Sequence, residues 1–188
     1  MRASSPRNTA AFTLIELLTV IAIIFVLVGL IGAVNAPEMA ARRATEARLA
    51  AIQNALTQHW VENAGYPQGT ATDTFDPGTS FNPGTYGAVN LELYKALSGD
   101  EDLDRQTDPG RKSYYKFRSS ELLPANGTGA VTAFIDAFGN PYGYSTAANR
   151  QIADGAASPT IGHNVTYDLW STAGARTSGD AGKWIKNW

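Results

Sequence analysis

Residues 11–24 read AFTLIELLTVIAII, and the apolar run they open continues through residues 17–37, LLTVIAIIFVLVGLIGAVNAP. Only Thr19 and Asn35 are polar in residues 17–37, and no ionisable residue stands between Glu16 and Glu38. At about 1.5 Å of rise per residue such a helix spans roughly 30 Å, the thickness of a bilayer core. A soluble helix is seldom apolar on every face over this length. Gly29 and Gly32 would weaken a helix in water, but small residues are common in membrane helices and let neighbours approach. The run predicts a membrane helix over residues 12–36.

The preceding segment, MRASSPRNTAA, holds Arg2 and Arg7 and no acid, the composition of a signal leader. Three features oppose an ordinary cleaved secretory signal. The apolar run exceeds the usual length of about 7–15 residues. The small-residue candidate Val34-Asn35-Ala36 is followed by Pro37, which suits cleavage poorly. Glu16 also sits within the apolar stretch, where a carboxylate is costly and is usually paired or functional.

Together, the short basic leader, the Phe12-Thr13-Leu14-Ile15-Glu16 segment and the uninterrupted apolar run closely resemble the processing motif of type IV pilin-like proteins, the pilins and pseudopilins. The resemblance implies that a prepilin peptidase cuts the Ala11–Phe12 bond on the cytoplasmic side and that Phe12 is then N-methylated. It implies that Glu16 is the acid used in assembly and that the helix stays attached. One departure is Ala11, where the family usually has Gly. Charge counting alone leaves topology open, because Arg42, Arg43 and Arg48 follow the span while Arg2 and Arg7 precede it. The cytoplasmic leader therefore rests on the resemblance. The implied organisation is a leader over 1–11, a transmembrane and polymerisation helix over 12–36, and a periplasmic pilin-like head over 37–188.

The whole chain has 188 residues, no Cys and a formal net charge of −2. Without Cys there is no disulfide scaffold, thiolate zinc site or cysteine nucleophile. Without excess cation the chain is not built chiefly to grip nucleic acid.

Beyond Pro37 the helical pattern resumes. Leu49, Ile52, Leu56 and Trp60 lie on one face, so a single helix is expected from Phe12 to about Asn63, ended by Gly65 and Pro67. Glu38 and Arg42 have the favourable i,i+4 order. Residues 65–87 read as ordered turns, and Asn90–Leu97 as a short helix with Asn90 as N-cap and Gly99 as its stop. Strands are expected within Ser113–Leu123, in a hairpin around Gly139-Asn140-Pro141, and over Asn164–Thr172 with Val165, Tyr167 and Leu169 on one face. The fold class is α+β: one long N-terminal helix with a C-terminal antiparallel sheet. His59 and His163 lack partners by spacing and read as structural or exposed. Asp100, Asp102 and Asp104 alternate like a calcium loop, but Arg105 stands where that loop needs Gly and Arg111 where it needs a bidentate Glu. Asn126 and Asn164 match the glycosylation triplet, which a bacterial leader makes irrelevant.

A weaker resemblance lies near the C-terminus. Asp136-Ala137-Phe138-Gly139-Asn140-Pro141-Tyr142-Gly143-Tyr144 and Tyr167-Asp168-Leu169-Trp170-Ser171 are similar to the last hairpin and strand of major pseudopilins of type II secretion. In those proteins the following loop binds calcium through several Asp side chains. Here Arg176 and Gly182 replace expected acids, and Asp180 alone remains as a possible calcium ligand, so no cofactor is expected. The loop is expected to be held instead by an ion pair of Arg176 and by packing of Trp184 and Trp188.

The resemblance implies a structural subunit in the bacterial inner membrane. Its partners would be copies of itself in a helical filament, other pseudopilins, the prepilin peptidase and methyltransferase, and the inner-membrane secretion platform. A type IV pilin used for adhesion or DNA uptake is the alternative. An enzyme is not expected, since no G-x-S-x-G, H-E-x-x-H or phosphate-binding loop is present.

Overall fold

The computed structural model describes residues 13–188, apart from the side chains of residues 30–35. Ala11 and Phe12 lie outside the described residues. The architecture is the expected α+β type. A long helix, α1 (Leu14–Asn63), leads into α2 (Gly87–Ser98), β1 (Leu122–Leu123), β2 (Ala133–Phe134), β3 (Gly143–Ser145), α3 (Ala147–Ala153), β4 (Asp168–Ser171) and β5 (Ile185–Lys186). Two antiparallel sheets form, β1-β2 and β3-β4-β5. The chain divides into two compact units, with the boundary after Ala40.

Helix α1 passes through Pro37 without interruption. In the first unit its apolar side chains are exposed, Leu14 to 82%, Ile15 to 71% and Phe25 to 75%. Among the described residues, no helix is long and apolar enough to cross a membrane. Part of the apolar run falls on residues 30–35, whose side chains lie outside the described ones.

In the second unit α1 buries the predicted stripe, with Leu49, Ile52 and Leu56 at the centre of the core. Trp60 departs from it: half-exposed, it stacks on Tyr66. Arg42 pairs with Glu46 at 3.2 Å rather than with Glu38. Helix α1 ends as Ala64, not Gly65, takes the left-handed conformation at φ 53°.

Helix α2 begins before Asn90, so Asn90 is not its cap. Asn90 is fully buried and acts as a strand surrogate. Its Nδ2 donates to the Phe134 and Tyr142 carbonyls, each at 3.0 Å, and its Oδ1 accepts the Phe134 N–H at 2.8 Å. These bonds satisfy buried backbone groups that no ladder reaches. Gly99 ends α2 as expected, at φ 70°.

The expected strand in Ser113–Leu123 shrinks to Leu122–Leu123, preceded by a 3-10 turn over Ser119–Glu121. The turn at residues 136–140 is real, with a bridge between Ile135 and Pro141. Its two flanks nevertheless join different sheets, β2 pairing with β1 and β3 with β4. Asp136 organises this divergence. Its Oδ1 accepts the N–H groups of Phe138 and Asn140 at 2.9 Å, and its Oδ2 accepts the Ser171 hydroxyl. Thr45 of α1 accepts the Ala137 N–H at 3.2 Å, tying the turn to the helix.

All of β4 is buried, and of the expected apolar face Val165 is exposed while Tyr167 and Leu169 enter the core. Trp170 anchors a second core cluster with Tyr86, Val89, Ala175 and Trp184. Gly143 faces Trp170 across the β3–β4 register, and a Cβ there would lie 2.1 Å from Trp170 Cε2. Gly143→Ala should therefore displace the indole and cost about 1–3 kcal/mol or more in urea unfolding, as overpacking does. An unchanged urea midpoint would contradict this packing.

Burial pushes the Asp136 carboxyl above its ordinary range, although the Ser171 hydroxyl and the Asn140 and Phe138 N–H groups pull it down. A carboxyl raised on folding binds its proton more tightly in the folded state. Its ionisation therefore costs stability: the cost is absent below the unfolded pKa and complete above the raised one. Asp136→Asn removes it. Relative to that variant, the natural protein should lose stability as pH rises from about 4. Unfolding profiles that stay parallel across pH would contradict the assignment.

Candidate functional site: the start of helix α1

Thr13 and Glu16 form a reciprocal cap on α1. Glu16 Oε2 accepts the Thr13 N–H and the Thr13 hydroxyl, both at 2.8 Å, and the Glu16 N–H donates to Thr13 Oγ1 at 3.3 Å. This is a capping box, which satisfies backbone donors that have no partner within the helix. The T-x-x-E spacing was its sequence signal. Thr19 turns its hydroxyl back to the Ile15 carbonyl at 2.7 Å, so this polar group also needs no outside partner. Glu16 is thus held at the very start of α1, beside a row of exposed apolar side chains. Ala11 and Phe12, the residues expected to be processed, precede it in sequence and lie outside the described residues.

This arrangement offers a carboxylate at a fixed height on an exposed apolar helix, which suits helix–helix association keyed by one charge.

Residues 6–32 match the prokaryotic N-terminal methylation motif. That match supports a type IV pilin-like protein carrying a prepilin signal. No curated protein and no solved structure matches the chain significantly.

The other singled-out residues lie in the head. Asp180 accepts the Thr177 hydroxyl and pairs with Lys183, each at 2.9 Å, and these interactions hold its carboxyl below the usual range. A single carboxylate already paired with a lysine does not fit calcium, which takes six to eight oxygens with several carboxylates. Among the described residues Arg176 makes no ion pair. The loop is closed instead by the Asp180–Lys183 pair and by Trp184, which packs between Phe81 and Trp170. Trp188 crosses Trp170 edge-on.

His59 meets the Gly65 carbonyl at 2.9 Å, and His163 stacks on Trp188 with ring centres 4.4 Å apart. His59 is half-buried and His163 is exposed. Asp100, Asp102 and Asp108 bring carboxylate oxygens within 4.8 Å of one another. Each already accepts hydrogen bonds: Asp100 from Tyr94 and the N–H groups of Asp104 and Arg105, Asp102 from Asp104, and Asp108 from Glu101. Those bonds account for the acidic turn, with Arg105 at φ 78° where a calcium loop carries glycine.

Proposed function

We propose that the chain is a pseudopilin, a structural subunit that polymerises into a periplasmic pseudopilus for type II protein secretion. The observation carrying this reading is the methylation motif at residues 6–32, with Glu16 capped beside an exposed apolar helix face. The aromatic turn from Asp136 to Tyr144 and strand β4, Asp168–Ser171, favour the secretion branch over the pilus branch.

In this reading the peptidase cuts Ala11–Phe12 and the new Phe12 amine is methylated. The helix is embedded in the inner membrane in a single pass, with the head in the periplasm. An unpaired amine and an unpaired carboxylate in an apolar bundle each cost several kcal/mol. Pairing Glu16 of one subunit with the Phe12 amine of a neighbour offsets both. Only one axial stagger brings the two together, so the pair sets the filament's register. Before assembly, Thr13 supplies Glu16 with two hydrogen bonds, which lowers the cost of waiting. Methylation keeps the amine's charge and so keeps the pair. The chain itself performs no catalysis; it is the substrate of its processing enzymes.

Deleting the gene tests the branch. Loss of exported folded enzymes with surface pili intact supports the pseudopilin. Intact export with loss of surface fibres, adhesion or DNA uptake assigns the type IV pilin instead.

A further inference from the structure

The connection between β1 and β2 carries a chemistry that the filament role does not use. Residues 124–130, PANGTGA, belong to no helix or strand and are all exposed. Within them Asn126 stands before Gly127, which takes the left-handed conformation at φ 75°. Asn126 Oδ1 accepts the Thr128 N–H at 3.1 Å, an Asx turn that folds the side chain back over Gly127. Among the described residues neither the Gly127 N–H nor the Asn126 Nδ2 makes a hydrogen bond. A Cβ at Gly127 would meet nothing nearer than Ser119 Oγ at 3.8 Å, so the turn is open on that side.

We infer that Asn126 is a self-modification site, converted without an enzyme to aspartate and isoaspartate. The Gly127 backbone nitrogen loses its proton and attacks Asn126 Cγ. The new N–Cγ bond closes a succinimide ring, the Cγ–Nδ2 bond breaks, and Nδ2 leaves as ammonia with the proton. Water then opens the ring at one of its two carbonyls, giving aspartate or isoaspartate. Nucleophile and electrophile are neighbours in one chain, so no encounter has to be arranged. The Thr128 N–H points at Oδ1, where negative charge gathers as the ring closes, and stabilises it there. Glycine, without a Cβ, leaves the attacking nitrogen unshielded and lets the backbone turn into the ring geometry.

Other asparagines of the head lack parts of this combination. Asn82 and Asn140 precede proline, whose nitrogen has no proton to lose, and Asn90 is buried. Asn63 lies in α1, and Asn164 precedes the β-branched Val165. The product also changes the loop. Arg105 holds it at both ends, donating to the Pro124 and Gly129 carbonyls at 2.6 and 3.0 Å. Isoaspartate carries the main chain through its side-chain carbon, which adds one atom between those carbonyls together with a negative charge. Conversion therefore loosens the β1–β2 connection where Arg105 clamps it.

The test is incubation of the folded full chain in detergent at neutral pH, beside a synthetic peptide of residues 124–130, with peptide mapping by mass spectrometry over time. Electron-transfer fragmentation separates isoaspartate from aspartate. Asn126 should convert at least about tenfold faster than Asn63 or Asn164, and within about tenfold of the free peptide. Isoaspartate should exceed aspartate, since direct hydrolysis of the amide gives aspartate alone. Gly127→Ala should slow conversion at least about tenfold, because a methyl group shields the nitrogen and φ 75° disfavours a side chain. Asn126→Gln keeps an amide in the exposed loop but needs a larger ring, so it should stay unconverted even if Gly127→Ala disturbs the turn. The proposal is overturned if Asn126 persists in the folded chain while the peptide converts, if aspartate forms without isoaspartate, or if Gly127→Ala and Asn126→Gln convert as fast as the natural chain.

Discussion

Glu16→Ala is expected to leave processing intact and to abolish assembly. In the proposed reading the scissile bond lies before Phe12, and the substitution leaves the leader and the apolar run unchanged, so mature protein should accumulate. Filament yield should fall by at least about a hundredfold. Each subunit contact would lose an ion pair and leave an amine unpaired in an apolar bundle, a penalty of several kcal/mol repeated along the fibre. Glu16→Gln separates charge from shape, since the amide can still hydrogen-bond Thr13 but cannot neutralise an amine. It should fail nearly as badly. The assay is shearing or cross-linking of fibres from cells expressing each variant, with processing read by mass. Normal fibre yield from Glu16→Gln would mean that the carboxylate's charge is not the register key.

Trp170→Ala should have the largest effect on the head. The indole is fully buried in the middle strand of the three-stranded sheet, and its Nε1 donates to the Tyr86 hydroxyl at 3.0 Å. Phe75 and Trp184 stack against it and Tyr86 and Trp188 meet it edge-on. Truncation removes this whole set of contacts and leaves a cavity that Gly143, on the facing strand, has no side chain to fill. The expected loss is about 3–5 kcal/mol. Set against a typical total of about 5–15 kcal/mol, that places the head close to unfolding. Trp188, only partly buried at the chain end, should cost much less when truncated. Urea unfolding followed by near-UV circular dichroism compares the two. Equal midpoints for the two variants would show that Trp170 is not the anchor described.

The long helix was legible because its signals are local. An apolar run, a three-and-four spacing and Gly65 and Pro67 beyond its end all lie within the segment they describe. Gly99 was legible for the same reason, since a left-handed cap needs no distant partner. The motif around Glu16 was read from neighbouring residues too, and its capping partner Thr13 stood three positions away. The head's sheets were read less well, because their strands are two to four residues long and are fixed by distant contacts. Asn90 has the form of a cap in sequence, yet it bonds to residues more than forty positions away. The turn at Asp136 reads as a simple hairpin, but Thr45 and Ser171 draw its flanks apart. The pairing expected of Glu38 with Arg42 gave way to Glu46, an equally well-spaced acid.

The most direct test of the filament-subunit account is the intact mass and N-terminal sequence of the protein isolated from its native membranes. The account predicts a mature chain that begins at N-methylated Phe12, with residues 1–11 removed and the apolar helix retained. A chain that keeps Met1, or one that begins at Pro37, would contradict it: the first would be an unprocessed anchor and the second a secreted head without a polymerisation helix.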